Sequence, residues 1–208
     1  MSIYTPKSFN QTNVSQLHEF IEKFNFATLI THHIGENYVS HVPILLDRNR
    51  GQLGTLIWHV AKINPQADAF PTTKTLCIFH GPHAYISPTW YKMHPSVPTW
   101  NYTVVHAEGI AKQTNAEQLE KDLSRLVEHH EKNIELNSPY LIPENYKNKL
   151  IEHIVGFHME ITSIQGKFKL GQNRCEEDQQ GMLQGLLKQK DDSSHALAHF
   201  IQSLKNDP

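Results

Sequence analysis

Four segments of the chain gather side chains whose types could hold or orient a ligand. The first is WHVAKINPQ, residues 58–66, where His59 and Lys62 precede Asn64 and Pro65. Asparagine caps helices, and proline suits the first helical position because the N–H it lacks would be unpaired there anyway. The backbone N–H groups of such a terminus, with Lys62 as a nearby point charge, can hold an anion such as phosphate. The same residues also describe the plain start of a connecting helix. The second segment is HGPHAYISPTWY, residues 80–91. Its prolines fix the backbone, so it reads as a rigid aromatic turn between strands. His80 and His83 stand in that turn rather than on a helix face suited to a metal, and no acidic third ligand lies close by in sequence.

The third segment is VPTWNY, residues 97–102. Pro98 biases Val97 toward extended backbone, and a strand after it puts Trp100 and Tyr102 on one face and Asn101 on the other. That pattern fits a core strand, and equally the wall of a site for a flat ligand. The fourth is KFKLGQNR, residues 167–174. It brings Lys167, Lys169 and Arg174 together with the amides of Gln172 and Asn173. A solvated turn has this composition, and so do the contacts of a phosphate or of a polar ring edge.

These segments need a scaffold, and the hydrophobic periods outline one. Val14, Leu17, Phe20, Ile21 and Phe24 recur at helical spacing behind Asn13, a suitable N-cap. Strand patterns follow over 26–31 and 38–46, joined across Gly35 to Asn37, and again over 53–60 after a turn at 47–51. Further strands are expected over 75–79 and 83–87, around a turn at Gly81–Pro82, and over 102–110. Short strands closed by tight turns indicate a barrel or sandwich. Leu119, Leu123, Leu126, Val127 and Ile134 then line one face of a helix, and a shorter helix starts near Pro143. Residues 157–164 return to strand, paired with 168–170, and Leu197, Phe200, Ile201 and Leu204 mark a closing amphipathic helix. The expectation is one domain over residues 1–208, with helical additions at about 115–152 and 176–205.

Composition narrows the function classes. At this length folding buries roughly 70% of the unfolded surface, so the core needs no staples. The two cysteines, Cys77 and Cys175, form no CxxC pair. The N-terminus lacks a secretory pattern, and no apolar run approaches the ~20 residues of a membrane span. A cytoplasmic protein is expected. The formal net charge of -2 leaves no general footprint for nucleic acid, and no pair of short helices reads as helix-turn-helix, so direct DNA binding is not expected. Serine-hydrolase, P-loop and dinucleotide fingerprints are absent, as is any evident catalytic acid/base pair.

Taken in order, YTPKSF (4–9), SHVP (40–43), HVAKINPQ (59–66), GPHAYISPTWY (81–91), VPTWNY (97–102), Val105-His106, Gly109, IVGF (154–157) and GKFKLGQNR (166–174) resemble the PaiB family over nearly the whole chain. The resemblance implies a β-rich α+β fold: an FMN-binding split β-barrel with flanking helices and a helical C-terminal region. It further implies a homodimer with flavin at the subunit interface, and a role in negative transcriptional regulation of protease synthesis and sporulation. On that reading His59, Lys62 and Asn64 meet the FMN phosphate, with Lys169 and Arg174 arriving from a second subunit. Trp100, Asn101 and Tyr102 meet the ring, and Gln172 and Asn173 its polar edge. No residue takes a catalytic or metal role. Ile63 stands where the family often has Arg, and Gly171 where it often has Ser. Two other readings remain. One is a flavin-dependent oxidoreductase of a small molecule, in which the cofactor carries the hard step. The other is a haem-handling split-barrel protein, suggested by the fifteen histidines.

Overall fold

A computed structural model describes residues 3–131 and 143–206. Helix α1 (Val14–Lys23) starts as its cap requires: Asn13 Oδ1 accepts from the Gln16 N–H at 3.2 Å. Strands β2 (Phe26–His33) and β3 (Glu36–Pro43) pair antiparallel with His33 opposite Glu36. Their turn is therefore Ile34-Gly35, one residue earlier than the Gly35–Asn37 of the sequence reading. Both turn residues have positive φ, 50° and 80°, as a twist-matched two-residue hairpin demands. Glycine takes that conformation at no cost, and Ile34 takes it against its β-branch. After Pro43 the chain breaks pairing at Ile44, so the long strand expected over 38–46 becomes β3 and a short β4 (Leu45–Asp47).

Gly81–Pro82 does not form the expected turn. Strand β6 (Lys74–Ile86) runs straight through this pair instead of turning there. His80, His83 and Tyr85 are exposed while Phe79, Ala84 and Ile86 are buried, so the alternation slips by one residue across Gly81–Pro82. A bulge does this, and it tolerates a proline without a ladder N–H. Gly81 is required sterically, since a Cβ there would lie 2.6 Å from the Phe20 ring and closer still to Thr103 Oγ1. His80 and His83 thus lie on a strand, not in a turn. Strand β7 (Thr99–Gln113) begins earlier than expected and takes in most of VPTWNY. The strand anticipated over 157–164 is two, β8 (Ile154–Glu160) and β9 (Ser163–Lys169). With β1 (Asn10–Gln11) and β5 (Thr55–Ala61), the hydrogen-bonded order is β3-β2-β6-β7-β8-β5-β4, with β9 pairing β7 and β1.

The chain divides into two compact units. The first comprises the residues up to Phe20, Phe79–His106, and those from Gln165 onward. Its core holds Phe20, Phe168 and Phe200, with ring centroids 5.2–6.0 Å apart. Two helices close its sequence, α5 (Glu176–Leu187) and α6 (Asp192–Asn206). The second unit comprises Ile21–Ile78 and Ala107–Ile164, with Trp58, Phe70 and Phe157 packed at 4.8–6.0 Å. Within it, the single-turn helix α2 (Gln66–Ala69) follows the Asn64-Pro65 pair, and α3 (Ala116–His130) is capped by Asn115 Oδ1 accepting from Gln118 N at 2.8 Å. A buried hydrogen bond ties α3 to β8, His158 Nε2 lying 2.5 Å from Asp122 Oδ2. Arg50 donates to His158 Nδ1, and a guanidinium can only donate, so the imidazole proton sits on Nε2 and points at the carboxylate. Ile134, assigned above to the face of α3, lies outside the described residues. Helix α4 (Glu144–Ile151) begins directly after Pro143. Among the described residues no helix is long and apolar enough to cross a membrane.

Candidate functional site

In the first unit the outward face of β6 and β7 carries the chemistry. Trp100 is 55% exposed on this face while its neighbour Asn101 is 1% exposed. Alternation along β7 therefore turns Trp100, Tyr102 and His106 outward and Asn101, Thr103 and Val105 inward. Tyr85 meets Trp100 edge-on at 6.1 Å, and His83 lies 6.3 Å from it. The Lys167 ammonium sits 5.3 Å from the Tyr102 ring centroid and 5.5 Å from that of Tyr4, while donating to Tyr4 O at 2.9 Å. His80, His83, Trp100, Tyr102, His106 and Lys167 border a depression of roughly 530 Å³. It offers a flat aromatic wall, a cation poised over a ring, and imidazoles as donors or acceptors. Behind the wall, Asn101 Nδ2 donates to Met182 Sδ of α5 at 3.1 Å. Its amide thus faces away from the aromatic side and fixes the strand on the helix.

The remaining members of KFKLGQNR are mostly committed to the fold. Lys169 Nζ donates to Thr99 Oγ1 at 2.5 Å and to Trp100 O at 2.7 Å. Burial holds its ammonium below the ordinary lysine range, with Lys167 adding repulsion and Tyr102 opposing both. Gln172 folds back on its own segment, accepting from Leu170 N at 2.7 Å and donating to Phe168 O at 2.5 Å. Asn173 is exposed. Arg174 stacks its guanidinium 4.4 Å from the Tyr91 ring centroid, donates to Ser96 Oγ, and lies 3.9 Å from the buried carboxylate of Asp178. Asp178 in turn accepts from the N–H groups of Lys92 and Met93 at 2.8 and 3.1 Å. Gly171 has φ +81°, a conformation that strains serine, and a Cβ there would already lie 3.1 Å from Met182 Sδ.

In the second unit, His59 sits half-buried on β5, and desolvation lowers its pKa. Lys62 is exposed just beyond, its N–H donating to His153 O at 2.9 Å. Asn64 is fully used: Oδ1 accepts from Gln66 N, O accepts from Ala67 N, and Nδ2 donates to Ser40 Oγ, each at 2.9 Å. The first two donors of α2 are therefore satisfied by the protein itself, leaving them unavailable to an anion. His59 and Asn64 still border a shallow groove with Ser40 and His41, so the SHVP and HVAKINPQ segments meet in space. Ile63 is 93% exposed beside it. Among the residues of the aromatic face absent from the site assigned on sequence are His83, Tyr85 and Lys167. The first two were concealed by reading Gly81–Pro82 as a turn, and Lys167 by its place in an ordinary charged run.

The fold is that of the flavin-binding split barrels. The FAD and heme binding protein from Mycobacterium smegmatis superposes with a TM-score of 0.59 at 12% identity, covering 81% of this chain and 78% of its own. The flavocytochrome Anf3 from Azotobacter vinelandii gives 0.59 at 14% identity, covering 82% and 74%. Residues 3–163 match the family described as "Putative FMN-binding domain". The protease synthase and sporulation protein PAI 2 of Bacillus subtilis is 32% identical over 205 residues, 96% of this chain and 97% of that protein. An uncharacterized protein of Aspergillus fumigatus is 33% identical over 230 residues, covering 86% and 88%. The chain belongs to this PaiB-type FMN-binding family, and FMN is the family's cofactor.

Proposed function

We propose that the flavin ring of FMN lies against the Trp100–Tyr102 face of the first unit, in a protein that acts as a PaiB-type negative regulator. The observation that carries this reading is the orientation of VPTWNY: its two rings are outward and its amide is dry. An exposed aromatic patch of Trp100, an edge-on Tyr85 and a tilted His83 is the kind of surface a flat ligand covers. Lys167 supplies a cation for the electron-rich edge of the ring or for the phosphate. Lys169 and Arg174 hold the wall and the segment before it, and Gln172 shapes the turn that follows β9. Asn101 anchors the wall from behind, and Asn173 is the one amide of that turn left to meet a ligand. A phosphate role for His59 and Lys62 is proposed on its own footing, with Asn64 holding their turn. Similarity to PAI 2 over almost its full length supports the regulatory role. The exposed ring surface supports a homodimer that covers it. Continuity of α1, β6, β7 and β9 through both units supports a single domain, and a cytoplasmic location accords with the two free thiols.

Titration with FMN tests the central claim. Saturable quenching of flavin fluorescence at micromolar FMN is expected, abolished or strongly weakened in Trp100→Ala. Equal affinity in that variant would remove the ring from this face. Unchanged affinity in Lys62→Ala would remove the phosphate role separately. A monomer near 24 kDa by light scattering would end the dimer proposal. A second reading has one observation in its favour: His80, His83 and His106 border the same depression. If haem rather than FMN is the ligand, a Soret band will develop on haem addition and disappear in a variant of one of these histidines.

A further inference from the structure

Trp100 also borders a second depression of roughly 550 Å³, together with Tyr85, Trp90, Gln189, Asp191 and Ser193. The three aromatic residues come from different places: Tyr85 from β6, Trp100 from β7, and Trp90 from the short 3-10 turn Pro88–Trp90 between them. Trp90 is rigidly seated. Its ring occupies the notch over Gly185 of α5, where any Cβ would collide with the indole, and its carbonyl oxygen lies against Gly181 one turn earlier. The notch explains the glycine pair in a helix that otherwise has no use for it.

Asp191 is the acid on the border of this depression, and among the described residues neither lysine nor arginine lines it; the imidazole of His83 shares the border, and His195 acts on the carboxylate through its charge. Ser194 donates to Asp191 from both N–H and Oγ–H, each at 2.8 Å, and these bonds hold the carboxyl below the usual aspartate range. Each carboxylate oxygen accepts one of these bonds and keeps a lone pair for another donor. The start of α6 places a positive dipole end nearby, but that amounts to about half a charge against a full carboxylate. Lys188 and Lys190 flank the connecting segment without lining the depression.

Several aromatic rings around a space with a carboxylate at its edge, and no lysine or arginine on its border among the described residues, is the chemistry that recognises organic cations. We propose that this depression binds a small organic cation, a quaternary or alkylated ammonium group, with its head against Tyr85, Trp90 and Trp100 and its charge answered by Asp191. The site is distinct from the FMN face and does not depend on FMN being bound. It shares Trp100 and His83 with that face, so a cation bound here would be sensed at the flavin wall.

Choline is the probe, titrated into the full chain without FMN, with the indole N–H signals of Trp58, Trp90 and Trp100 followed by NMR. The expected result is a saturable shift of Trp90 and Trp100 by about 10 mM choline, in the millimolar range of a shallow single-cation site, with Trp58 still. Tyr85→Leu and Asp191→Asn should each weaken binding by about two- to fivefold. Asparagine preserves the cap to Ser194, so the fold is not at risk in the second variant. The neutral isostere 3,3-dimethylbutanol should bind more weakly than choline. Equal binding of the isostere, unchanged affinity in both variants, or no saturable shift would each overturn the proposal. FMN titrations in the same variants run separately, so loss of the flavin reading leaves the choline result standing and the reverse.

Discussion

The Trp100 segment and the Asn64 segment share a makeup, each setting polar or aromatic residues against a proline, yet the molecule uses them in opposite ways. Around Asn64, every polar atom of the side chain is committed: the amide caps α2 and reaches Ser40, and two backbone donors of α2 are already paired. Around Trp100, the structural work is done by Asn101 on the hidden face and by Lys169 beneath the strand, which leaves both rings uncommitted to the core. Ligand chemistry is carried by what a fold does not consume. Residue type marks both segments as candidates, and bookkeeping of hydrogen bonds separates them.

Four measurements can break or sharpen this contrast. The largest effect is expected from Gly185→Val, which puts two methyl groups into the Trp90 ring. Overpacking of this kind costs about 1–3 kcal/mol, read as a lower urea midpoint, and the Trp90 indole signal should move. Trp100→Ala comes next and should split affinity from stability. FMN binding is expected to weaken at least about tenfold, the equivalent of about 1.4 kcal/mol, while unfolding free energy changes by less than about 0.5 kcal/mol, as for exposed sites generally. A large stability loss there would mean that Trp100 belongs to the core after all.

Asn64→Ala should do the reverse, lowering stability by about 1 kcal/mol through loss of the cap and shifting FMN affinity only as far as the turn moves. The smallest effect concerns pH. Burial holds His59 below its ordinary value of 6.5, so between the two values the unfolded chain binds more protons than the folded one. Stability is then fully present above pH 6.5 and falls as pH drops through the lowered folded value. A urea midpoint followed downward from neutral pH should show this slope, and His59→Gln should flatten it. An unchanged slope would assign the dependence to other groups.

Much of the scaffold is legible in the sequence because its signals are local. Asn13 caps α1, the stripe of Leu119, Leu123 and Leu126 marks α3, and the pattern around Gly35 announces the first hairpin. What escapes is decided at a distance. Gly81–Pro82 carries a strong turn signal, but Phe20 and Thr103 press against Gly81 and the strand continues as a bulge. With the turn gone, His83 and Tyr85 join Trp100 on one face, a grouping that no spacing rule predicts. Arg174 reads as a ligand cation until Tyr91 and Asp178, far from one another in sequence, are seen to hold it. Gln172 is the subtler case. Its bonds to Leu170 and Phe168 are local, but whether an amide folds back or reaches outward depends on a turn geometry set by Gly171.

The partition of α1, β6, β7 and β9 between the two units bears on how this protein can be handled. Each unit is assembled from separate stretches of chain, three for the first and two for the second. No single cut liberates either one, and an expression fragment ending anywhere between Phe79 and His106 would carry an incomplete version of both. Domain shuffling, whether by evolution or in the laboratory, must move this barrel whole. Separate roles for its two faces are therefore to be sought with point substitutions rather than with truncations.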